Sequence, residues 1–347
     1  MPDATKYKMK KIVIAGNSIV DIIKRIDKYP KKGMLCKIDE IIYGVGGAVP
    51  NTGITLKQLS PESMEISAIT RIGKDDNGKF IKSVLQKYGL KTDLIVEDDR
   101  LPTAFTDVMT LPDGERTLFC AAGSNGALCE EDIPTESLRC DIFHIGYLLL
   151  LNHLDSYDCE YGTKMARLLS KVQSKGIKTS IDIASVDEAR FSEVVKPSLK
   201  YCDYVIINEI EASRITGIPL RIEGRLLENN LLPVCKCLQD LGVKNTVVIH
   251  CPELGCAFDQ EGNFSVVPSL CLPENYIVGA VGAGDAFCAG MLYSFLFGWN
   301  IYDGLRLASC TAACNLSVAD SVSGARSYAE SMALETYFGR HELKRSF

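Results

Sequence analysis

At 347 residues, with 46% hydrophobic and 24% charged side chains, the chain has the make-up of an ordinary globular protein and can bury a large core. A formal charge of -6 excludes the basic surface that generic nucleic-acid binding requires. No apolar stretch is long enough to span a bilayer, and the N-terminal basic residues run into a strand-like segment without a signal-peptide core, so the expected compartment is the cytoplasm.

In chain order, IVIAG (12–16) reads as a buried strand, and GMLCKIDEIIYGV (33–45) as a second strand with no helix between them. A helix is expected over 48–59, a strand at MEISAIT (64–70) and a helix over 78–88. Residues 102–120 break the rhythm again, because PDGE (112–115) is a turn signal between two strand-like runs. From there strands at 140–146, 178–184, 203–208 and 245–250 alternate with helices over 157–175, 188–199 and 226–241. Such alternation predicts an α/β fold, a mainly parallel sheet with helices on both faces, whose ligands bind beyond the carboxyl ends of the strands. The two helix-free segments, 33–45 and 102–120, predict a small β-sheet lid inserted in one domain that spans 1–347.

The fourteen cysteines are scattered, and the nearest sets (Cys235 with Cys237, Cys251 with Cys256, Cys310 with Cys314) lack the paired C-x-x-C spacing of structural zinc. They read as small buried apolar residues in a reducing compartment. His144, His153, His250 and His341 form no H-E-x-x-H pattern, so no transition-metal site is expected.

GKDDNGKF (73–80) fits G-x-x-x-x-G-K, but Phe80 stands where a P-loop needs Ser or Thr for magnesium, and Asp75 and Asp76 lie where phosphates would sit. It is set aside. More informative is YIVGAVGAGDAFCAGMLYSFLFGW (276–299), where Gly279, Gly282 and Gly284 precede Asp285 and a long apolar run of buried-helix type. One reading is a glycine turn whose Asp caps a core helix. The other gives the parts complementary tasks. Glycines and the helix N-terminus turn N–H groups toward an anion, while a carboxylate that repels phosphate serves to take a proton from an attacking hydroxyl.

GAVGAGDAFCAG resembles the C-terminal signature D-T-x-G-A-G-D of the ribokinase-like sugar kinases, the phosphofructokinase-B type family. The resemblance implies Asp285 as catalytic base and the Gly282–Ala283–Gly284 loop as anion hole. GGAVPNTGITLKQL (46–59) is similar to the family's N-terminal G-G-x-x-x-N, implying that Gly46, Gly47 and Asn51 contact the sugar; by itself, Asn51 could equally be a helix cap. Asp21 in GNSIVD matches the family Asp that holds sugar hydroxyls, and residues 103–128 are similar to the lid hairpin and the G-A-N-A-type loop after it. INEIEA (207–212) resembles N-x-x-E, implying that Asn208 and Glu211 organise magnesium and phosphate, largely through water. VVIHCPELGCAF (247–258) is similar to the strand and turn bordering the ATP site, with Gly255 as the family glycine.

The fold implied is ribokinase-like, and the activity is ATP-dependent phosphorylation of a primary hydroxyl on a sugar or sugar-like molecule, with ATP and magnesium as cofactors. A nucleoside kinase of the same fold is the alternative, and a catalytically silent sugar-binding relative a further one. Gly279 and Ala280 replace the leading Asp-Thr, which puts potassium activation in doubt. Ile19 and the Gly-Ala of the sugar motif depart from ribokinase itself, and Asp182 is present where Ala184 replaces the Asn of D-x-N-x-R, so the acceptor stays open. Neither a nucleic acid nor a membrane is expected as partner. A homodimer through the lid is expected from the apolar Ile38, Ile41, Ile42 and Phe105.

Overall fold

The computed structural model describes residues 9–342, apart from 61, 113–114 and 187–188. In chain order the strands are β1 (Lys10–Gly16), β2 (Ile19–Ile26), β3 (Ile38–Gly46), β4 (Met64–Ile69), β5 (Phe105–Thr110), β6 (Arg116–Ala121), β7 (Ile142–Leu148), β8 (Lys178–Ile183), β9 (Tyr204–Asn208), β10 (Thr246–His250), β11 (Leu254–Asp259) and β12 (Phe264–Pro268). The helices are α1 (Ala48–Leu59), α2 (Asp76–Lys87), α3 (Lys164–Ser174), α4 (Phe191–Leu199), α5 (Glu209–Thr216), α6 (Leu231–Asp240), α7 (Ala283–Phe297), α8 (Ile301–Leu316) and α9 (Tyr328–Phe338). Short 3-10 turns, two-residue hairpins and one parallel pair of three-residue strands, Arg71–Gly73 with Val96–Asp98, join them.

The main sheet has eight strands in the order β12-β11-β10-β9-β8-β7-β1-β4. Neighbours from β4 to β10 pair in parallel, while β10, β11 and β12 form an antiparallel edge. Side chains alternate across each strand, so an unbroken apolar run feeds two cores at once. Val205 and Ile207 of β9 point into one core with α3, α4, α5 and α6, whereas Ile206 points into the other with α1, α2, α7 and α8. This is the expected sheet with helices on both faces.

The four strands β3-β2-β5-β6 form a separate, smaller sheet. Three fall on the helix-free segments read from the sequence, with β3 and β6 each running one residue past them, to Gly46 and Ala121. The fourth, β2, was not anticipated, and it is the centre of that sheet, antiparallel to β3 and parallel to β5. The tip of the β5–β6 hairpin, read as a PDGE turn, lies partly outside the described residues; Leu111 donates to the Glu115 carbonyl across it at 2.9 Å.

Several helix starts differ from expectation. Residues 157–163 make a two-strand hairpin, Tyr157–Asp158 against Gly162–Thr163, and α3 begins only after Thr163, whose hydroxyl accepts from the Ala166 amide. In 226–241 a short strand at Arg225–Leu226 and a 3-10 turn at Glu228–Asn230 precede α6. Residue 188, where another helix was expected to start, is outside the described residues, and α4 begins at Phe191. The rejected P-loop proves to be a cap, since Asp75 accepts from the Gly78 amide at 2.8 Å and from the Thr103 hydroxyl at 2.6 Å. All fourteen cysteines are free, but only Cys202, Cys235, Cys256, Cys288, Cys310 and Cys314 are buried, so the expectation of buried thiols holds for fewer than half.

Candidate active site

The carboxyl ends of β1, β7, β8 and β9 and the N-termini of α1, α5 and α7 converge on one region, as the strand order requires. Asn17, just beyond β1, holds the start of α1: its side-chain oxygen accepts from the Ala48 amide at 3.1 Å and its carbonyl from the Val49 amide at 3.2 Å. Asn125, in the loop after the hairpin, accepts from the Ser18 amide and donates to the Ser18 carbonyl. These bonds fix the two turns between which Gly46 and Gly47 pass. Gly46 lies against Asp21, and a methyl group there would come within 2.5 Å of Asp21 Oδ2.

Asn51 and Thr52 sit in the first turns of α1 and both donate to Asp285, Asn51 Nδ2 at 2.9 Å and Thr52 Oγ1 at 3.4 Å. Asn51 is therefore not a helix cap. The sequence reading also missed a third donor, Tyr147, whose phenol oxygen is 2.6 Å and 2.7 Å from the two Asp285 carboxylate oxygens. Asp285 is buried in the first turn of α7, and burial pushes its carboxyl up to about 6, with the bonds from Tyr147, Asn51 and Thr52 pulling the other way. Beside it the Asn51 side-chain oxygen is buried with no partner among the described residues.

Gly282 gives α7 its entry. Its φ of 80° is left-handed, and a side chain would meet Ser321 within 3.0 Å, so both the turn and the close approach call for glycine. The first-turn amides that follow have no intrahelical acceptor, although the Ala283 amide leans on the Ala280 carbonyl at 3.3 Å. Below Gly284 lies the His250 ring, held neutral by burial, which lowers it to about 4. Gly255 pairs with His250 at the β10–β11 edge, and its missing side chain makes room for the Phe287 ring.

Asp21, on β2, is also raised to about 6 by burial, with the Arg116 charge acting in the opposite direction. Asn208 and Glu211 cap α5 reciprocally: the Asn208 side-chain oxygen accepts from the Glu211 amide at 2.9 Å, and the Asn208 amide donates to Glu211 Oε2 at 3.0 Å. Glu211 Oε1 further accepts from Ser185 Oγ at 2.6 Å and Asn208 Nδ2 at 2.8 Å. Glu211 is raised to about 7, first by burial. Asp182 is buried and pushed well up, first by burial and then by the charges of Glu211 and Asp285, so it sits electrostatically between the two halves of the site. The sequence signal for Tyr147 was absent, since one aromatic at the end of an apolar strand looks like core.

Compared with known proteins, residues 9–326 match the model of the pfkB family of carbohydrate kinases. The chain belongs to this family. The chain is an ATP-dependent carbohydrate kinase of the ribokinase type, as the motifs implied. It is 25% identical over 316 residues to a ribokinase of Arabidopsis thaliana, covering 90% of this chain and 77% of the relative. It is also 25% identical over 309 residues to a 2-dehydro-3-deoxygluconokinase of Dickeya dadantii, covering 87% of this chain and 93% of that one. The solved structure of Arabidopsis thaliana ribokinase with ribose and ATP superposes with a TM-score of 0.79 at 23% identity, over 94% of this chain and 99% of the other. The fold is thus ribokinase-like. None of the described helices is long and apolar enough to cross a membrane.

Proposed function

We propose that this kinase transfers the γ-phosphoryl group of ATP to a primary hydroxyl of a sugar or sugar-like acceptor, with Asp285 as general base. The observation that carries this reading is the shared hydrogen-bond network of Asp285 with Asn51 and Thr52, which ties the glycine-loop helix to the residue-46 turn. Asp21 and Asn51, with the Gly46–Gly47 backbone, hold the acceptor, and the unpartnered Asn51 oxygen is ready for one of its hydroxyls. The four-stranded sheet is the lid of a single domain and keeps water from the reacting atoms. The Gly282–Ala283–Gly284 backbone stabilises charge on the transferring group.

Magnesium suits the Asn208–Glu211 corner only through its waters. Both Glu211 oxygens are already taken by protein donors, and the described residues contain no group of three or more His, Cys, Asp or Glu able to hold an ion directly. The buried Glu211 and Asp182 repel one another, and a hydrated cation nearby relieves that repulsion. When bound, magnesium neutralises charge on the β- and γ-phosphates. ATP would bind by the β10–β11 hairpin that carries Gly255, beside the N-terminus of α7. Potassium is not assigned a role, because a side chain at Gly279 would come within 2.9 Å of the Val318 carbonyl, leaving no room for the family Asp.

Asp285→Asn tests the reading. ATP binding persists, while ADP release across a panel of ketoses, pentoses, sugar acids and nucleosides falls by roughly a hundredfold or more, the general scale of a placed base. Near-normal turnover by this variant would refute the role of Asp285. The panel also separates sugar from nucleoside acceptors.

A further inference from the structure

We propose that Tyr147 occupies the place of the acceptor hydroxyl on Asp285 when no acceptor is bound, and so keeps water from being phosphorylated in its stead. This rests on Asp285 being the general base. An attacking alcohol must present its O–H to that carboxylate at hydrogen-bond distance, roughly 2.6–3.2 Å. The Tyr147 phenol already does so, 2.6 Å and 2.7 Å from the two oxygens. Asn51 and Thr52 hold the same carboxylate from the helix side, at 2.9 Å and 3.4 Å. Tyr147 lies in β7 between Gly146, paired with Gly16, and Leu148, paired with Ile183, where the register with β8 shifts, and of the three donors it is the hydroxyl that reaches both Asp285 oxygens.

The second observation is the Asn51 side-chain oxygen, buried beside this network and without a partner among the described residues. An acceptor that displaces the phenol and donates to Asn51 satisfies both groups; a lone water reaching Asp285 has to displace a bond that is already made. In the unwanted reaction, a water oxygen forms a bond to the γ-phosphorus, its proton passes to Asp285, the bond from phosphorus to the bridging oxygen breaks, and ADP leaves with that electron pair. The phenol holds the seat without reacting in water's place, because burial first, and the Asp285 charge second, keep its proton on. Tyr147 is thus a positioning residue: it sets who may approach the base.

The test is ADP release from magnesium ATP with no acceptor, in the wild type, Tyr147→Phe and Tyr147→Phe with Asp285→Asn. Phenylalanine fills the same volume without the hydroxyl, and hydrolysis is expected to rise by about tenfold or more, within the range a general base supplies to a hydroxyl it can reach. Adding Asp285→Asn returns it to the wild-type level or below. The pH dependence of this hydrolysis gives a readout that mere loosening would not move. Loss of the phenol donor shifts the acid limb upward from about 6, because that bond holds Asp285 down. Unchanged hydrolysis in a Tyr147→Phe protein with a wild-type melting profile overturns the proposal, as does faster hydrolysis that survives Asp285→Asn. If Tyr147→Phe does not fold, Tyr147→Met takes its place in the same assay, where faster hydrolysis that needs Asp285 supports the guard and unchanged hydrolysis overturns it. Failure here with a dead Asp285→Asn variant removes only the guard; an active Asp285→Asn variant removes the base itself.

Discussion

A buried carboxylate is ordinarily held by a cation, yet none of the described ion pairs includes Asp285; it has only neutral donors. Burial disfavours its charge, the donors favour it, and burial wins, lifting it from 3.8 to about 6. A base with that value is deprotonated at neutral pH yet still takes a proton readily. With Asp285 as the proposed base only its carboxylate form works, so kcat/KM should be flat above neutrality and fall as pH drops through about 6, roughly tenfold per unit below it. Asp21 is also near 6, so if acceptor binding needs its charge the limb steepens toward two protons. A pH–rate profile from about 4.5 to 9 checks this, and an acid limb at the ordinary carboxylate value near 4 would remove the argument that burial tunes Asp285. At the same scale, the sequence singled out Asp285, Asn51 and Asp21 because each stands in a glycine-bearing motif that resembles the family's. It did not disclose Tyr147, Thr52 or the role of Asp182, because each is one residue in an apolar or helical run and acts only through partners far along the chain.

Among the elements, the strands of the main sheet were legible since both faces are buried and the apolar runs are continuous. β2 was not, because IVDIIKRI mixes burial with charge: its base packs on the core through Val20 and Ile22, while Lys24 pairs with Asp107 on β5. The start of α3 was misplaced for a different reason. A short hairpin carries the same mixed composition as a helix turn, and only the Thr163 cap marks the true boundary. α5 shows an element doing two jobs. Its capping box is structural, but the same Glu211 faces Asp182 across the site. Asn208→Ala should therefore separate the two. Loss of the cap costs about 1 kcal/mol of stability, read as a lower melting midpoint. Without the Asn208 side-chain bond to its charged form, Glu211 rises further above about 7 and is less often ionised at neutral pH. The magnesium concentration for half-maximal turnover should then increase. A variant that melts lower but keeps its magnesium dependence would confine Asn208 to capping.

On the scale of the whole molecule, the question is what covers the small sheet. Its register sorts the apolar side chains onto two faces. Asp21, Ile42 and Leu118 share one face, and Ile41, Tyr43 and Phe119 share the other. Phe105, expected to contribute to an outer surface, packs against the core instead. Closing over an acceptor held by Asp21, as proposed above, would cover Ile42 and Leu118. It leaves Ile41 at 49%, Tyr43 at 57% and Phe119 at 56% exposed on the far side, beside the free edges of β3 and β6. An apolar face with unpaired edges is what a protein normally covers, and a second copy of the same sheet offers matching chemistry in a two-fold arrangement. We propose that arrangement for the homodimer. Light scattering at micromolar concentration should give twice the chain mass, and Ile41→Asp with Phe119→Asp should halve it while leaving the Asp285 network folded. Because the small sheet carries Asp21, the proposed acceptor ligand, loss of the partner is expected to raise KM for the acceptor more than it lowers kcat. A wild-type protein that scatters as a monomer ends the dimer, and leaves the lid to close with its outer face in water.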